Sequence, residues 1–395
     1  MSGIYQPAPI LKTLDKNFEK VFATQPTAKY FAPGRINLIG EHTDYNGGYV
    51  FPCAISLGTY AAVAPRDDNQ VRLYSENFPE AGIKTITLQD LKYDKADTWA
   101  NYPKGMFYFF EKHGLKITHG FDICVHGNLP NGSGLSSSAS IEMLFGKILT
   151  DQFNFDIDQI SVVKIGQEVE NKFIGVNSGI MDQFAVGMGQ KDHAILLDTN
   201  TLDYDLVPIK LGQYKIVIMN TNKRRELTDS KYNERRGECE KALALIQKQT
   251  AIPSLGALDK DGFDEYMYAI NDPVLIRRAR HAVFENQRTK LATTALKAND
   301  LKTFGHLMNA SHISLEYDYE VTGVELDTLA HSAWAHGALG ARMTGAGFGG
   351  CAIALVKTSD IETFVTAVSQ DYKAKVGYDA DFYIAEIADG PKVIA

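Results

Sequence analysis

Cysteine is scarce in this chain of 395 residues, and the four present, Cys53, Cys124, Cys239 and Cys351, stand far apart. No CxxC pair occurs and no histidine sits at metal-ligand spacing, which argues against a zinc site and a disulfide scaffold and leaves free thiols. Long apolar runs are missing too. At 45% hydrophobic residues the composition is that of a soluble globular protein. No stretch approaches the roughly 18 consecutive apolar residues of a membrane span, so no membrane partner is expected. The opening residues MSGIYQPAPILKTLDKNFEK lack a basic region followed by an apolar one, so no secretory signal is read and a cytoplasmic setting is expected. Nor is there an excess of positive charge. With 40 Lys and Arg against 48 Asp and Glu, the formal charge of −8 offers no field for a polynucleotide, and no nucleic-acid partner is expected. A small phosphorylated ligand needs only a local site. Asn131 and Asn309 each begin a glycosylation acceptor tripeptide, without consequence in the cytoplasm.

The length suits two domains. Residues 60–64 and 123–126 read as strands, while 144–153 and 162–173 carry helical spacing, so the class is mixed α and β. A strand over 194–197 ends in the polar turn Asp198, Thr199, Asn200, and another follows over 214–219; the boundary between them divides the chain into 1–208 and 209–395. Beyond it, Asp272-Pro273 precedes a long helix whose Arg277, Arg278, Arg280 and His281 are expected to form a solvated face. A helix over 326–336 leads through a glycine-rich turn to a strand at 351–356, and 382–387 reads as one more strand.

What the chain does have is concentrated in a few segments. GRINLIGEHTDY (residues 34–45) packs Arg35, Glu41, His42 and Asp44 around an apolar stretch and glycines. Such a cluster can bind a small hydroxylated ligand, or it can brace a turn with salt bridges. LPNGSGLSSSAS (residues 129–140) runs into Ile141, Leu144, Phe145, Ile148, Leu149 and Phe153, one face of a helix, and therefore sits at a helix N-terminus. Gly132 and Gly134 leave backbone N–H groups unobstructed, and Ser133, Ser136, Ser137 and Ser138, around Leu135, add hydroxyls beside the positive end of the helix dipole. That is a nest for phosphate oxygens; a plain N-cap needs only one serine. The loop is no Walker A, since no lysine follows its glycines, and it holds no GxGxxG. The HRD, DFG and VAIK segments of protein kinases are absent as well.

With TGAGFGG at 344–350, these segments stand in the order and at the separations of the three motifs of the GHMP small-molecule kinases. GRINLIGEHTDYNGG resembles the galactokinase signature within that superfamily. Similarity continues through QEVENKFIGVNSGIMDQF (167–184), NKRRELTDSKYNERR (222–236) and RRARHAVFENQRT (277–289), nearly the whole chain. The resemblance implies an α+β, two-lobed GHMP kinase. Its N-terminal domain would be like ribosomal protein S5 domain 2, with a left-handed crossover, its C-terminal domain ferredoxin-like, and its active site between them. The implied reaction moves the γ-phosphoryl group of ATP to the anomeric hydroxyl of α-D-galactose with Mg²⁺, giving galactose 1-phosphate and ADP. Galactose and ATP are then the partners, and a monomer is expected.

By the same resemblance, Glu41, His42, Thr43 and Asp44 lie at the sugar with Gly179 and Tyr232; carboxylates suit a ring of hydroxyl donors. Asp182 matches the family's base and Arg35 the arginine beside it. A loose transition state needs little prior deprotonation, so Asp182 is expected to orient the hydroxyl as well as accept its proton, and Arg35 to stabilise charge on the transferring group. Alone, Asp182 would also read as a buried capping carboxylate. Ser138 and Glu170 match the Mg²⁺ ligands, hard oxygens fitting that ion. Glu168 points away from Glu170 on a helix and is expected to be solvated. Ser75 matches a nucleotide contact alongside Gly132, Ser133, Gly134, Leu135, Ser136, Ser137 and Ser138. Trp99 and Tyr102 either flank the adenine or belong to the core. TGAGFGG either orders the mouth of the site or supplies positive-φ turns. Two other functions stay open: a galactose- and ATP-binding sensor, against which the Ser138-Ala139 pair stands, and a kinase for a related sugar such as N-acetylgalactosamine.

Overall fold

The computed structural model describes residues 7–130, 132–223 and 228–395; Asn131 and residues 224–227, which fall in two of the motif segments, lie outside them. The first lobe opens with α1 (Pro7–Phe22) and β1 (Ala28–Asn37), followed by β2 (Tyr49–Val50), β3 (Pro52–Pro65), β4 (Gln70–Ser75) and β5 (Lys84–Thr87). It continues through α2 (Asn101–Lys112), β6 (Phe121–Gly127), α3 (Ser137–Gln152), α4 (Gln159–Glu168), α5 (Met181–Gly187), β7 (His193–Asp198) and β8 (Tyr204–Pro208). Period-2 alternation along the strands splits their side chains between two faces. Tyr60, Ala62 and Ala64 of β3 meet Leu14, Phe18 and Phe22, one stripe of α1, while Ala61 and Val63 face the larger core with Phe107, Phe121 and Phe145.

The second lobe comprises β9 (Tyr214–Asn220), α6 (Thr228–Ile246), α7 (Lys260–Tyr266), α8 (Pro273–Lys297), α9 (Leu301–Ser314), α10 (Gly323–Ala335), β10 (Gly340–Thr344), β11 (Cys351–Lys357), α11 (Ile361–Val376) and β12 (Asp381–Ile384); β13 (Lys392–Val393) closes the described chain. Its antiparallel sheet has the order β10-β11-β9-β12. With helices after β9 and α11 after β11, this is the ferredoxin-like βαββαβ arrangement. The first lobe's main sheet runs β13-β1-β3-β6-β4-β5, with β4 and β6 parallel, and β2-β7-β8 form a small third sheet. A separate apolar core joins the lobes: Ile36, Leu38, Phe51 and Leu135 pack with Ile218, Cys351, Ile353 and Met308. All four cysteines are buried as reduced thiols.

Three expectations need correction. The helix expected over 162–173 ends as α4 at Glu168, and the chain winds through a π turn, Val169–Ile174, before Gly175 at φ 91° reverses it. The strand expected over 382–387 stops at Ile384; the chain then crosses to the first lobe, where Ile387 bridges Ile55 and β13 pairs with β1. Finally, Arg278 and His281 do not lie on a solvated face, because α8 is covered by α6 and by a second π turn, Leu315–Tyr319. Arg278 pairs with Glu238 at 2.8 Å and Glu320 at 2.6 Å, and His281 Nε2 donates to the backbone oxygen of Glu41 at 3.0 Å. Arg277 and Arg280 do remain at the surface.

Candidate active site

The register between β1 and β3 shifts between Pro33 and Gly34, which re-aims the strand just before Arg35. A Cβ at Gly34 would stand 2.7 Å from Leu135 O, so only glycine lets the serine-rich loop lie against β1. There the Arg35 backbone N–H donates to Leu135 O at 3.1 Å, and Nη1 donates to Gly134 O at 2.6 Å. The rest of the guanidinium forks onto Asp182, Nε to Oδ1 and Nη2 to Oδ2, both at 2.9 Å. Ser136 Oγ adds a third donor to Oδ2 at 2.5 Å. Ser136 precedes α3 at φ 61° with its side chain capping nothing, so the serine of the N-cap position is turned to Asp182 instead of the helix. Arg35 is buried, whereas Asp182 keeps 32% of its side chain exposed and faces a cavity of about 220 Å³. Three donors converging on one carboxylate hold it as an acceptor.

Glu41, His42, Asp44, Gly179 and Tyr232 line the same cavity. Glu41 accepts from Asn37 Nδ2 at 2.8 Å, from Gly345 N at 2.6 Å and from the fully buried Arg342 at 3.4 Å. Burial pushes its carboxyl up, while Arg342 and Arg35 oppose that shift. Asp44 is pushed up to about 6, by burial first and then by the charge of Asp182. Burial, followed by Asp44 and Asp182, holds the Tyr232 phenol well above its ordinary range, so it stays a donor. A Cβ on Gly179 would fall 1.8 Å from Asp44 Oδ2, so this wall admits no side chain. Thr43 lies behind the wall rather than on it. Its hydroxyl sits 2.9 Å from Gly40 O and 2.7 Å from Tyr49 O and braces the turn.

On the other side the cavity is lined by Gly132, Gly134, Ser136, Ser137 and Ser138, where first-turn N–H groups of α3 have no intrahelical partner. Ser133 and Leu135 shape the loop from within, Ser133 buried and Leu135 packed in the interlobe core. Glu170, buried on the π turn, reaches the cavity, whereas Glu168 turns outward to His113 at 2.8 Å and Lys172 at 2.7 Å. The Ser138 hydroxyl and the Glu170 carboxylate line one cavity beside the glycine-serine loop and are hard oxygen donors of the kind a magnesium ion takes. A second cavity of about 220 Å³ shares Ser137 and Ser138 with the first and is walled by Ser75, Phe78, Trp99, Tyr102 and Ile141. Trp99 and Tyr102 therefore face a cavity, although Trp99 also packs on the core. TGAGFGG does both things foreseen for it: Gly345 and Ala346 line the first cavity, and Gly345, Gly347, Phe348, Gly349 and Gly350 all have positive φ.

Sequence reasoning missed Arg342, which holds Glu41, and Tyr319, whose ring packs at a tilt of 44° against His42. Tyr45 lay inside the quoted motif without a role. Away from the cleft, His312, Glu316 and His331 come within metal-binding distance of one another. His312 Nδ1 already accepts the Met343 N–H at 3.1 Å, which puts the proton of the neutral ring on Nε2 and disfavours that nitrogen as a ligand. Among the described residues no helix is long and apolar enough to cross a membrane.

This fold and cleft define a small-molecule kinase of the GHMP class. Residues 101–190 match the GHMP kinases N terminal domain and 292–374 the GHMP kinases C terminal domain, and a mevalonate kinase structure shares the fold at a TM-score of 0.65 and 19% identity, covering 92% of this chain and all of its own. Residues 16–65 match the Galactokinase galactose-binding signature. A galactokinase of Lactiplantibacillus plantarum is 64% identical over 380 residues, 96% of this chain and 98% of its own. One of Ligilactobacillus salivarius is 62% identical, over 97% and 99%. The structure of Lactococcus lactis galactokinase complexed with galactose superposes at a TM-score of 0.95 with 52% identity, covering 97% of this chain and 99% of that one. The chain belongs to the galactokinase family.

Proposed function

We propose that this kinase moves the γ-phosphoryl group of ATP to the anomeric hydroxyl of α-D-galactose, giving α-D-galactose 1-phosphate and ADP. The observation that carries the reading is a single cavity that joins the Arg35–Asp182 pair to Glu41 and Asp44 on one side and to the glycine-serine loop on the other. The galactose complex of the Lactococcus lactis relative supports galactose as the sugar. Residues 1–208 then form one domain, bringing the reacting groups, and 209–395 the other, bringing Tyr232, Gly345 and Ala346 to close the sugar side.

Glu41 and Asp44 accept from sugar hydroxyls, and Gly179 leaves room for the ring; Thr43 serves the sugar through the turn it braces. The anomeric hydroxyl donates to Asp182. As its oxygen bonds to the γ-phosphorus and the bond to the bridging β,γ-oxygen breaks, its proton passes to Asp182. Arg35, already fixed by Gly134 O, stabilises negative charge on the transferring group without reorganising. Phosphates lie on the 132–138 loop, and the base lies in the Trp99–Tyr102 cavity near Ser75. Ser138 and Glu170 would hold Mg²⁺, which when bound neutralises charge on the phosphate oxygens. A cytoplasmic setting supplies the ATP this reading needs, and a monomer suffices, since one chain completes the cavity.

Asp182→Ala tests the reading. Turnover should be abolished while calorimetric ATP affinity stays nearly intact; loss of ATP binding would assign Asp182 to the nucleotide and overturn its role here.

A further inference from the structure

A string of polar contacts runs from the cavity into the second lobe. His42 Nδ1 lies 2.7 Å from the Tyr45 hydroxyl, which lies 2.7 Å from the Tyr319 hydroxyl, which lies 3.1 Å from Cys239 Sγ. At the cavity end His42 Nε2 lies 3.1 Å from Ala346 O. Counting donors fixes the direction. A backbone carbonyl only accepts, so Nε2 carries hydrogen; in a neutral ring Nδ1 must then accept, and the Tyr45 hydroxyl donates to it. Having given its one hydrogen to His42, the Tyr45 oxygen accepts from Tyr319, which accepts in turn from the Cys239 thiol. The Asn46 amide stands beside Tyr319 and Cys239 and donates to His42 O at 2.8 Å, closing the string from the side. Burial, aided by His281, Arg235 and Arg342, pushes His42 down to about 3, which keeps the ring neutral. Tyr319 is fully buried between the rings of His42 and His281, with centroids at 4.9 and 4.5 Å, and does not line the cavity.

We propose that Tyr45 and Tyr319 are positioning residues that hold His42 in the Nε2–H tautomer, so that this ring donates to Ala346 O and fixes that second-lobe residue on the cavity wall beside Glu41. The relay crosses between lobes, so the tautomer is set only when both are in contact. The proposal rests on the sugar-binding reading above.

Nitrogen NMR of the full chain labelled at histidine reads the tautomer directly, without a variant. A pyridine-like Nδ1 and a pyrrole-like Nε2 on His42 are expected; the reverse or an averaged pattern overturns the proposal. In a coupled ADP-release assay, Tyr319→Phe should raise the KM for galactose about 3- to 10-fold, the loss of one hydrogen bond, with kcat within about twofold. His42→Ala should raise the same KM, and adding Tyr319→Phe to it should change nothing further. Additive effects would mean that Tyr319 acts by general packing, which overturns the relay and leaves the site reading standing. An unchanged KM in His42→Ala overturns the hold on Ala346, whereas an unchanged KM in Asp44→Asn overturns the sugar-site reading itself.

Discussion

Asp44 shares its cavity with Asp182, and its carboxyl, pushed up to about 6 by burial and by that neighbour, carries two pH dependences of opposite sense. Its folded-state value lies above the ordinary 3.8, so the folded chain holds the proton more tightly than the unfolded one. The associated stability is fully present below 3.8 and is lost as pH rises through about 6. Sugar binding needs the ionised acceptor. The kcat/KM for galactose should therefore fall as pH drops below about 6, and Asp44→Asn should be weak at every pH without that limb; a limb unchanged in the variant would assign it to another group. Glu170→Gln should shift the Mg²⁺ requirement upward by about tenfold, read from ADP release during a magnesium titration, and an unshifted midpoint removes Glu170 from the ligand set. At this scale the sequence was informative where a residue lines the cavity, as with Arg35, Glu41, Asp44 and Asp182. It was silent on Arg342 and Tyr319, which act through another side chain, because such partners meet only after folding.

The segment 175–180 walls the cavity beside Asp44, and on the proposed reading it sets sugar access. It enters from the π turn through Gly175 and passes Asp44 at Gly179, and it is tied down by Asn171 to Ser178 and by Arg236 of the second lobe to Asn177 O at 2.9 Å. Gly179→Ala inserts a methyl 1.8 Å from Asp44 Oδ2, so the carboxylate must swing out of its place on the cavity wall. The expected outcome is a KM for galactose raised by about tenfold or more with the melting temperature little changed; an unaltered KM would show that the wall does not touch the sugar. Helical periodicity announced α4 but not its π turn, since inserting one residue per turn leaves local apolar spacing almost intact. The α8 N-terminus was readable, because Asp272 caps Val274 and Leu275 with proline at the first position. Burial of its Arg278 was not, because the charges that pay for it, Glu238 and Glu320, come from α6 and from beyond the second π turn.

Across the whole molecule, Arg35, Glu41, Asp44 and Asp182 reach the cavity from the first lobe, while Tyr232, Gly345 and Ala346 complete the wall from the second. The interlobe core of Ile36, Leu135, Ile218 and Ile353 holds these contributions in register. Alternating and helical patterns marked β3, β6, β7, β9, β11 and β12 among the strands and α3, α4, α8 and α10 among the helices, fewer than half of those described. They could not pair β13 with β1 or order the ferredoxin-like sheet, since long-range register leaves little trace in local periodicity. Motif resemblance supplied the ferredoxin-like arrangement but not the return of β13 to β1. The central claim is that this joint cavity phosphorylates galactose, and ADP release by the purified chain with ATP, Mg²⁺ and a panel of sugars tests it most directly. Turnover with galactose well above that with N-acetylgalactosamine and other hexoses is the expected result. Tight galactose binding without ADP release, or faster release with another sugar, would contradict it.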